Sequence, residues 1–411
     1  MTIKSANMVT NDTGGYWTSI FMNVAFVTNF DLKNILKQDA RWYNPYLVSY
    51  FAAKAIADSP DIQLSYLNPE QNQDQTFVFK WKKKFYKSVF NQRYLAERDT
   101  LLLKKYARQI AQQVQLNNAE VVFSSGILGI SYLECPQPIV FWMDVPFAGL
   151  VDFYPMFRSL CNETLRNGMQ AERSALERAK RIIYTSDWAA QVAIDHYGVN
   201  PEKVHIVPRG ANIDVEPTLE DVRDCIASRP KDVCRLLFLG KGWKRKGGDI
   251  AVGVAEYLHQ AGLNVELTIV GNKPQPNGRY PDYVHFAGFV SKSTKEGRKF
   301  IRDKIAESHF LLLPSKADTF GIVVCEASAY GVPSLTSNVG GISSAVRDDV
   351  NGKTFSLEDG VEPFGKYIIE LMSDYRSYEA LALSSFEDFE TRLNWRVVGN
   401  QLRQHIAETL G

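Results

Sequence analysis

At 411 residues the chain is longer than one ordinary hydrophobic core organises, so length alone predicts two or three domains. Apolar residues at 45% and charged residues at 23% exclude a disordered or fibrous chain, and a formal charge of +1 excludes a global pull toward nucleic acid. The five scattered cysteines, an odd number without a C-x-x-C pair, exclude a disulfide frame and a zinc knuckle and point to a reducing compartment.

Residues 1–21 are polar, carry Gly14 and Gly15, and read as an extension or a local cover. Met22 to Thr28 is apolar but for Asn23 and Thr28, the pattern of a central strand in a parallel sheet. A long loop from Asn29 to Pro45, bearing Arg41, Trp42 and Asn44, precedes a helical pattern from Tyr46 to Asp58 and a strand from Ile62 to Leu67. Lys80 to Arg108 then sets ten basic residues against Glu97 and Asp99, interleaved with Trp81, Phe85, Tyr86, Phe90, Tyr94 and Tyr106. One helical face is aromatic and another cationic. That suits a peripheral contact with an anionic membrane or an anionic acceptor, or a solvated helix whose aromatics pack inward. No nucleic-acid-binding fold accompanies the patch.

Val121 to Phe123 and Ile139 to Met143 read as buried strands, and Asp144 ends the second at a sheet's carboxyl edge, where α/β proteins bind ligands, unless it caps the next segment. A charged helix pattern from Gln170 to Arg181 leads into a strand from Ile182 to Thr185, then a helix that starts at Ser186-Asp187 and stops at Gly198. Val204 to Val207 and the turn Pro208-Arg209-Gly210-Ala211-Asn212 close this series. The acidic link from Ile213 to Asp232 lacks periodicity and marks a domain boundary.

A second β/α series starts with the strand Arg235 to Leu239. The glycine-rich loop Gly240 to Gly248 follows, and its cations Lys241, Lys244, Arg245 and Lys246 at a strand end fit a diphosphate. Its spacing is not that of a P-loop, and no G-x-G-x-x-G follows either first strand, which weakens kinase and dehydrogenase readings. After a helix from Asp249 to Gln260, Val265 to Val270 and Val284 to Phe286, ending at Gly271 and Gly288, supply two more strand ends. Ser291 is placed to cap a helix running through Ile305.

The most informative stretch is Ser308 to Val346. His309 to Leu313 has the composition of a buried strand and Pro314 closes it. Ile322, Val323, Ala327 and Tyr330 repeat with helical spacing, Gly331 and Pro333 stop that helix, and Ser334 to Thr336 reads as another strand. The amides of Gly321, Ile322 and Val323 are then open to an anion. Asp318 and Glu326 lie eight residues apart around Phe320-Gly321. Carboxylates accept from paired hydroxyls, so the layout suits a sugar nucleotide, with diols at both ends and phosphates between.

The phrase Asp318-Thr319-Phe320-Gly321-Ile322-Val323-Val324-Cys325-Glu326-Ala327, followed in order by Gly331, Pro333, Thr336, Gly340 and Gly341, resembles the donor-binding signature of the retaining glycosyltransferases of family four. The departure is Asp318, where glutamate is commoner. The resemblance implies an α/β architecture of the GT-B type, two Rossmann-like domains facing across a cleft. Residues 1–212 would bind the acceptor, with a last helix near 394–411 packing back on them, and residues 213–393 would bind the donor. It further implies that Lys246, with Lys241 or Arg245, clamps the diphosphate, and that Gly247, Phe320, Gly321, Ile322, Val323 and Gly288 line the donor site. Glu326 would hold the ribose, Asp318 the donor sugar, Asp144 the sugar or acceptor from the other domain, and Arg41, Trp42 and Asn44 the acceptor side.

The reaction so implied is retaining hexosyl transfer from a UDP- or GDP-sugar to a hydroxyl acceptor, with no cofactor, and no DxD motif suggests a metal. A sugar-nucleotide epimerase of the same fold and a non-catalytic nucleotide-sugar-binding protein are the alternatives. No apolar run approaches the roughly twenty residues of a membrane span and no leader opens the chain, so the expected location is cytoplasmic, soluble or peripheral at the inner membrane face.

Overall fold

The computed structural model describes residues 9–10, 16–17, 21–32, 47–70, 77–272 and 280–410. Arg41, Trp42 and Asn44 lie outside the described residues. Strands Met22–Val27 (β1), Ile62–Leu67 (β2), Val121–Ser124 (β3), Ile139–Met143 (β4), Ala179–Tyr184 (β5) and Val204–Ile206 (β6) form one parallel sheet in the order β2-β1-β3-β4-β5-β6. Strands Cys234–Gly240 (β7), Val265–Gly271 (β8), Val284–Gly288 (β9), Phe310–Leu313 (β10), Ser334–Ser337 (β11) and Gly352–Phe355 (β12) form a second, in the order β9-β8-β7-β10-β11-β12. All residues of β3 and β10 are buried, as parallel strands covered on both faces require. In each sheet the strand order reverses once, at β1/β3 and at β7/β10. Ligands of open α/β sheets bind in the crevice at such reversals.

The connecting helices include Leu47–Ala57 (α1), Phe77–Phe90 (α2), Thr100–Leu116 (α3), Asn162–Arg178 (α4), Asp187–Tyr197 (α5), Leu219–Ser228 (α6), Trp243–Lys246 (α7), Gly248–Gln260 (α8), Lys295–Ala306 (α9), Ile322–Ser328 (α10), Glu362–Ser373 (α11), Tyr375–Asp388 (α12) and Trp395–Ala407 (α13). Several differ from the sequence reading. Residues 179–181 belong to β5 because α4 stops at Arg178. Thr294, not Ser291, caps α9 and accepts from Gly297 N at 3.0 Å. The link after Asn212 holds α6, which a capping box of Thr218 and Asp221 starts and whose Val222 and Ile226 are buried. Among the described residues no helix is long and apolar enough to cross a membrane.

The chain passes between the sheets twice, and the passages touch. Ala211 N donates to Leu393 O at 2.8 Å and Trp395 Nε1 to Asn212 Oδ1 at 3.2 Å. A Cβ on Gly210 would stand 2.5 Å from Trp395 N, so only glycine permits this approach. A π-helical turn, Phe389–Leu393, leads to Asn394, whose side chain caps α13. Trp395, Val398, Leu402 and Ile406 of α13 then join the core of the first sheet beside Val24, Phe26, Phe123 and Trp142.

Candidate active site

One wall of the site is the turn after β7. A single helical turn, α7, ends at Gly247, where φ is +76° and a Cβ would lie 1.9 Å from Pro314 O. The missing side chain lets the turn close onto the end of β10. Lys246 thereby reaches Asp318, and its ammonium donates to Asp318 Oδ2. Burial pushes the Asp318 carboxyl upward, but the Lys246 charge and hydrogen bond, the nearby Arg245 and the Phe320 amide outweigh it and hold the group below the usual carboxylate range. Asp318 is therefore an anion fixed between cations.

The turn contains a helix where the sequence suggested only a loop, and that helix separates its cations. Arg245 is half-buried, donates to Ala317 O at 2.7 Å, and carries its guanidinium 5.1 Å above the Tyr154 ring of the first domain. Lys241 is exposed and its Nζ sits 4.4 Å from the centre of the Phe289 ring. Between these two candidates, Arg245 shares the Asp318 pocket and Lys241 lies apart.

The floor is the start of α10. Gly321, the N-cap just before it, adopts φ +82°, and Ile322 and Val323 supply the first helical amides. Phe320 is fully buried in the core of the second domain, so only its backbone can meet a ligand. Gly288 ends β9 at φ +73° with open space around it. The signature pair Gly340-Gly341 has a packing reason: Cβ atoms there would lie 2.2 Å from Asp318 O and 1.9 Å from Thr319 O. Both glycines let the following segment strap down the acidic loop.

Glu326 lies inside α10 and is 1% exposed. Its Oε1 accepts from Lys292 Nζ at 2.5 Å, while Oε2 is buried with no partner among the described residues. A cavity of about 400 Å³ adjoins it, lined by Asn212, Lys292, Arg298 and Tyr330 among others. A bare buried carboxylate oxygen costs about 1–3 kcal/mol, which a hydroxyl donor would relieve.

The opposite wall comes from the first domain. Asp144, after β4, pairs with Arg209 of the turn after β6. Burial pushes its carboxyl up, Arg209 pulls it down, and Asp318 pushes it up again, leaving it above the usual range. Two acids thus stand near each other on different domains with their proton affinities driven apart, the arrangement that allows different roles. The walls also touch. Thr319 N donates to Tyr154 Oη at 3.0 Å and Asp187 N to Ser344 Oγ at 3.0 Å. Arg209, Tyr154 and Lys292 were not singled out from the sequence. Arg209 lay in a recognised turn; Lys292 sits in a polar Ser-Lys-Ser-Thr connection that offers no signal.

Residues 75–215 match the family described as Glycosyltransferase Family 4, and residues 234–374 the family described as Glycosyl transferases group 1. A D-inositol 3-phosphate glycosyltransferase of Paenarthrobacter aurescens is 25% identical over 258 residues, 60% of this chain and 62% of that protein. The first curated relatives are matched over only 45–62% of their own length. Among solved structures, sucrose-phosphate synthase from Thermosynechococcus elongatus shares the fold at a TM-score of 0.60 with 16% identity, over 94% of this chain and 98% of that one. Anabaena Alr3699/HepE, solved in complex with UDP, does so at 0.57 with 14% identity, over 94% and 100%.

Proposed function

Because the chain belongs to the family-four glycosyltransferases and has their GT-B fold, we propose that it moves a hexosyl unit from a nucleotide-diphosphate sugar, with uridine or guanosine as the base, to a hydroxyl acceptor, with retention at the anomeric carbon and without a metal ion. The observation that carries this reading is the Lys246–Asp318 pair, with Arg245 beside it and the first amides of α10 below, at the β7/β10 reversal. The UDP held by the HepE neighbour supports a nucleotide donor.

In this reading Lys246, Arg245 and the amides of Gly321 to Val323 take up the charge that gathers on the departing diphosphate. Each contact supplies about 2–4 kcal/mol of transition-state stabilisation. A leaving phosphate oxygen accepts the acceptor's proton on the same face of the sugar, so no side-chain nucleophile is required. Asp318, kept anionic by its cations, orients donor sugar hydroxyls, and the bare Glu326 Oε2 receives a ribose hydroxyl. Asp144 faces the sugar or acceptor from the other domain.

Lys246→Ala is expected to lower turnover about a hundredfold or more with the circular dichroism spectrum unchanged. Near-normal release of nucleoside diphosphate would reject the role of Lys246. Incubation of donor without acceptor separates the alternatives: an epimerase converts the donor, and a binding protein releases no nucleoside diphosphate when acceptor is added.

A further inference from the structure

The helix α2 presents to solvent what helices normally hide. It is anchored by one face only: Tyr86 Oη donates to Glu163 Oε2 at 3.0 Å, Lys82 Nζ donates to Glu163 Oε1 at 2.6 Å, and Phe79 packs beside Leu102, Leu103 and Tyr106. None of its fourteen residues is buried. Phe77, Trp81 and Phe85 follow one another at four-residue spacing along the outward face, Val89 continues the row and Val78 lies beside it. Phe77 is 82% exposed, Trp81 54% and Val89 60%. Lys80, Lys83, Lys84 and Lys87 run along one edge of this stripe, and the helix contains no acid.

We propose that α2 is an interfacial anchor that docks the protein on an anionic lipid bilayer. An apolar stripe beside a row of lysines is the pattern of a helix lying in the plane of a membrane surface, the aromatics sinking to the acyl boundary while the ammonium groups meet lipid phosphates. Charge decides between occupants. A second copy of this chain would bring the same lysines face to face, whereas an anionic leaflet neutralises them. A cavity of about 310 Å³ adjoins the lysine edge, and its lining sets Lys83, Lys87 and Arg93 against the single acid Glu97, beside Met156 and Phe157, a cationic balance that suits a phosphate headgroup. Met156, 62% exposed, is two residues from Tyr154 at the cleft, so the docked bilayer lies beside the cleft mouth.

The test is co-sedimentation of the whole chain with vesicles of phosphatidylcholine alone or of equimolar phosphatidylcholine and phosphatidylglycerol, a readout independent of sugar transfer. The wild type is expected to pellet with the anionic vesicles, to be released by salt, and to ignore the neutral ones. The combined K83E, K84E and K87E variant is expected to bind about a hundredfold more weakly. The W81S and F85S pair is expected to bind at least tenfold more weakly even at low salt. These side chains point outward, so the variants should keep the wild-type melting temperature. Failure of the wild type to bind phosphatidylglycerol vesicles, equal binding by both variants, or dimerisation abolished by W81S without vesicle binding would each overturn the proposal.

Discussion

Glu326 shows how much a single side chain can carry when one of its oxygens is paired and the other is not. Lys292 fixes the plane of the carboxylate and leaves Oε2 toward the adjoining cavity. Lys292→Met should raise the KM for donor about tenfold with a smaller change in kcat, and Lys292→Arg should restore most of it; initial rates over a donor series read both. Asp318 and Glu326 were legible because a fixed order of acid, Phe-Gly, Glu and Gly-Gly surrounds them. Lys292 was not, since its partner is 34 residues away and nothing local marks it. The buried His309 leads to a different experiment. Burial, with Arg229 and Arg235 nearby, pushes its imidazole from its ordinary 6.5 down to about 3. The unfolded chain takes up that proton first, so stability falls as pH drops through this window, by about 1.4 kcal/mol per pH unit. Glu172, held up at about 7 by burial, acts in the opposite sense between its ordinary 4.5 and that value. His405, pushed down to about 4, acts in the same sense as His309, so the contribution of His309 is read as a difference: His309→Gln should flatten the urea-midpoint profile between about pH 6.5 and 3 relative to wild type.

Short elements set the geometry of the site more than long ones do. The four-residue α7 exists because Gly247 tolerates both a left-handed backbone and the carbonyl of Pro314 in contact. Gly247→Ala must push the turn off β10. We expect a loss of about 1–3 kcal/mol in a denaturant titration together with weakened nucleotide binding in calorimetry, as Lys246 retreats from Asp318. The sequence displayed the cations of this turn but not which of them share a pocket, because helical winding, not chain order, aims Arg245 at Tyr154 and leaves Lys241 against Phe289. The helix α6 was passed over although Thr218, Asp221, Val222 and Ile226 spell a capped amphipathic turn. Its acidic composition resembled a linker, and burial of two apolar residues was enough to fold it. The aromatic and basic segment from 80 to 108 divides into two helices of opposite character: α3 buries Leu102, Leu103, Tyr106, Ala107, Ile110 and Val114, whereas α2 buries nothing.

For the molecule as a whole, the two parallel sheets were readable from their apolar runs, and the α/β alternation with them, except for the edge strand β12, whose Gly-Lys-Thr-Phe carries no apolar run and was not read as a strand. The contacts across the cleft were not readable, because Asp144 meets the field of Asp318 only once two separately folded walls are brought together. The passages between the walls run side by side, at Ala211-Asn212 and at Leu393 to Trp395, so any opening of the cleft must bend both at once. Trp395→Ala should cost about 3–5 kcal/mol and expose the first domain to proteolysis before the second, since the indole fills the core of the first sheet and packs against Phe51 at 5.7 Å between ring centres. The same arrangement imposes a timetable on biosynthesis. The face over Val24, Phe26 and Phe123 is covered only in part, by Tyr50, Ala52 and Ile56 of α1, until residues 395–407 have been translated. The first domain must therefore wait, half-finished and adhesive, for a lid encoded after the whole second sheet, and chaperone demand during synthesis is the cost of stitching the domains together there.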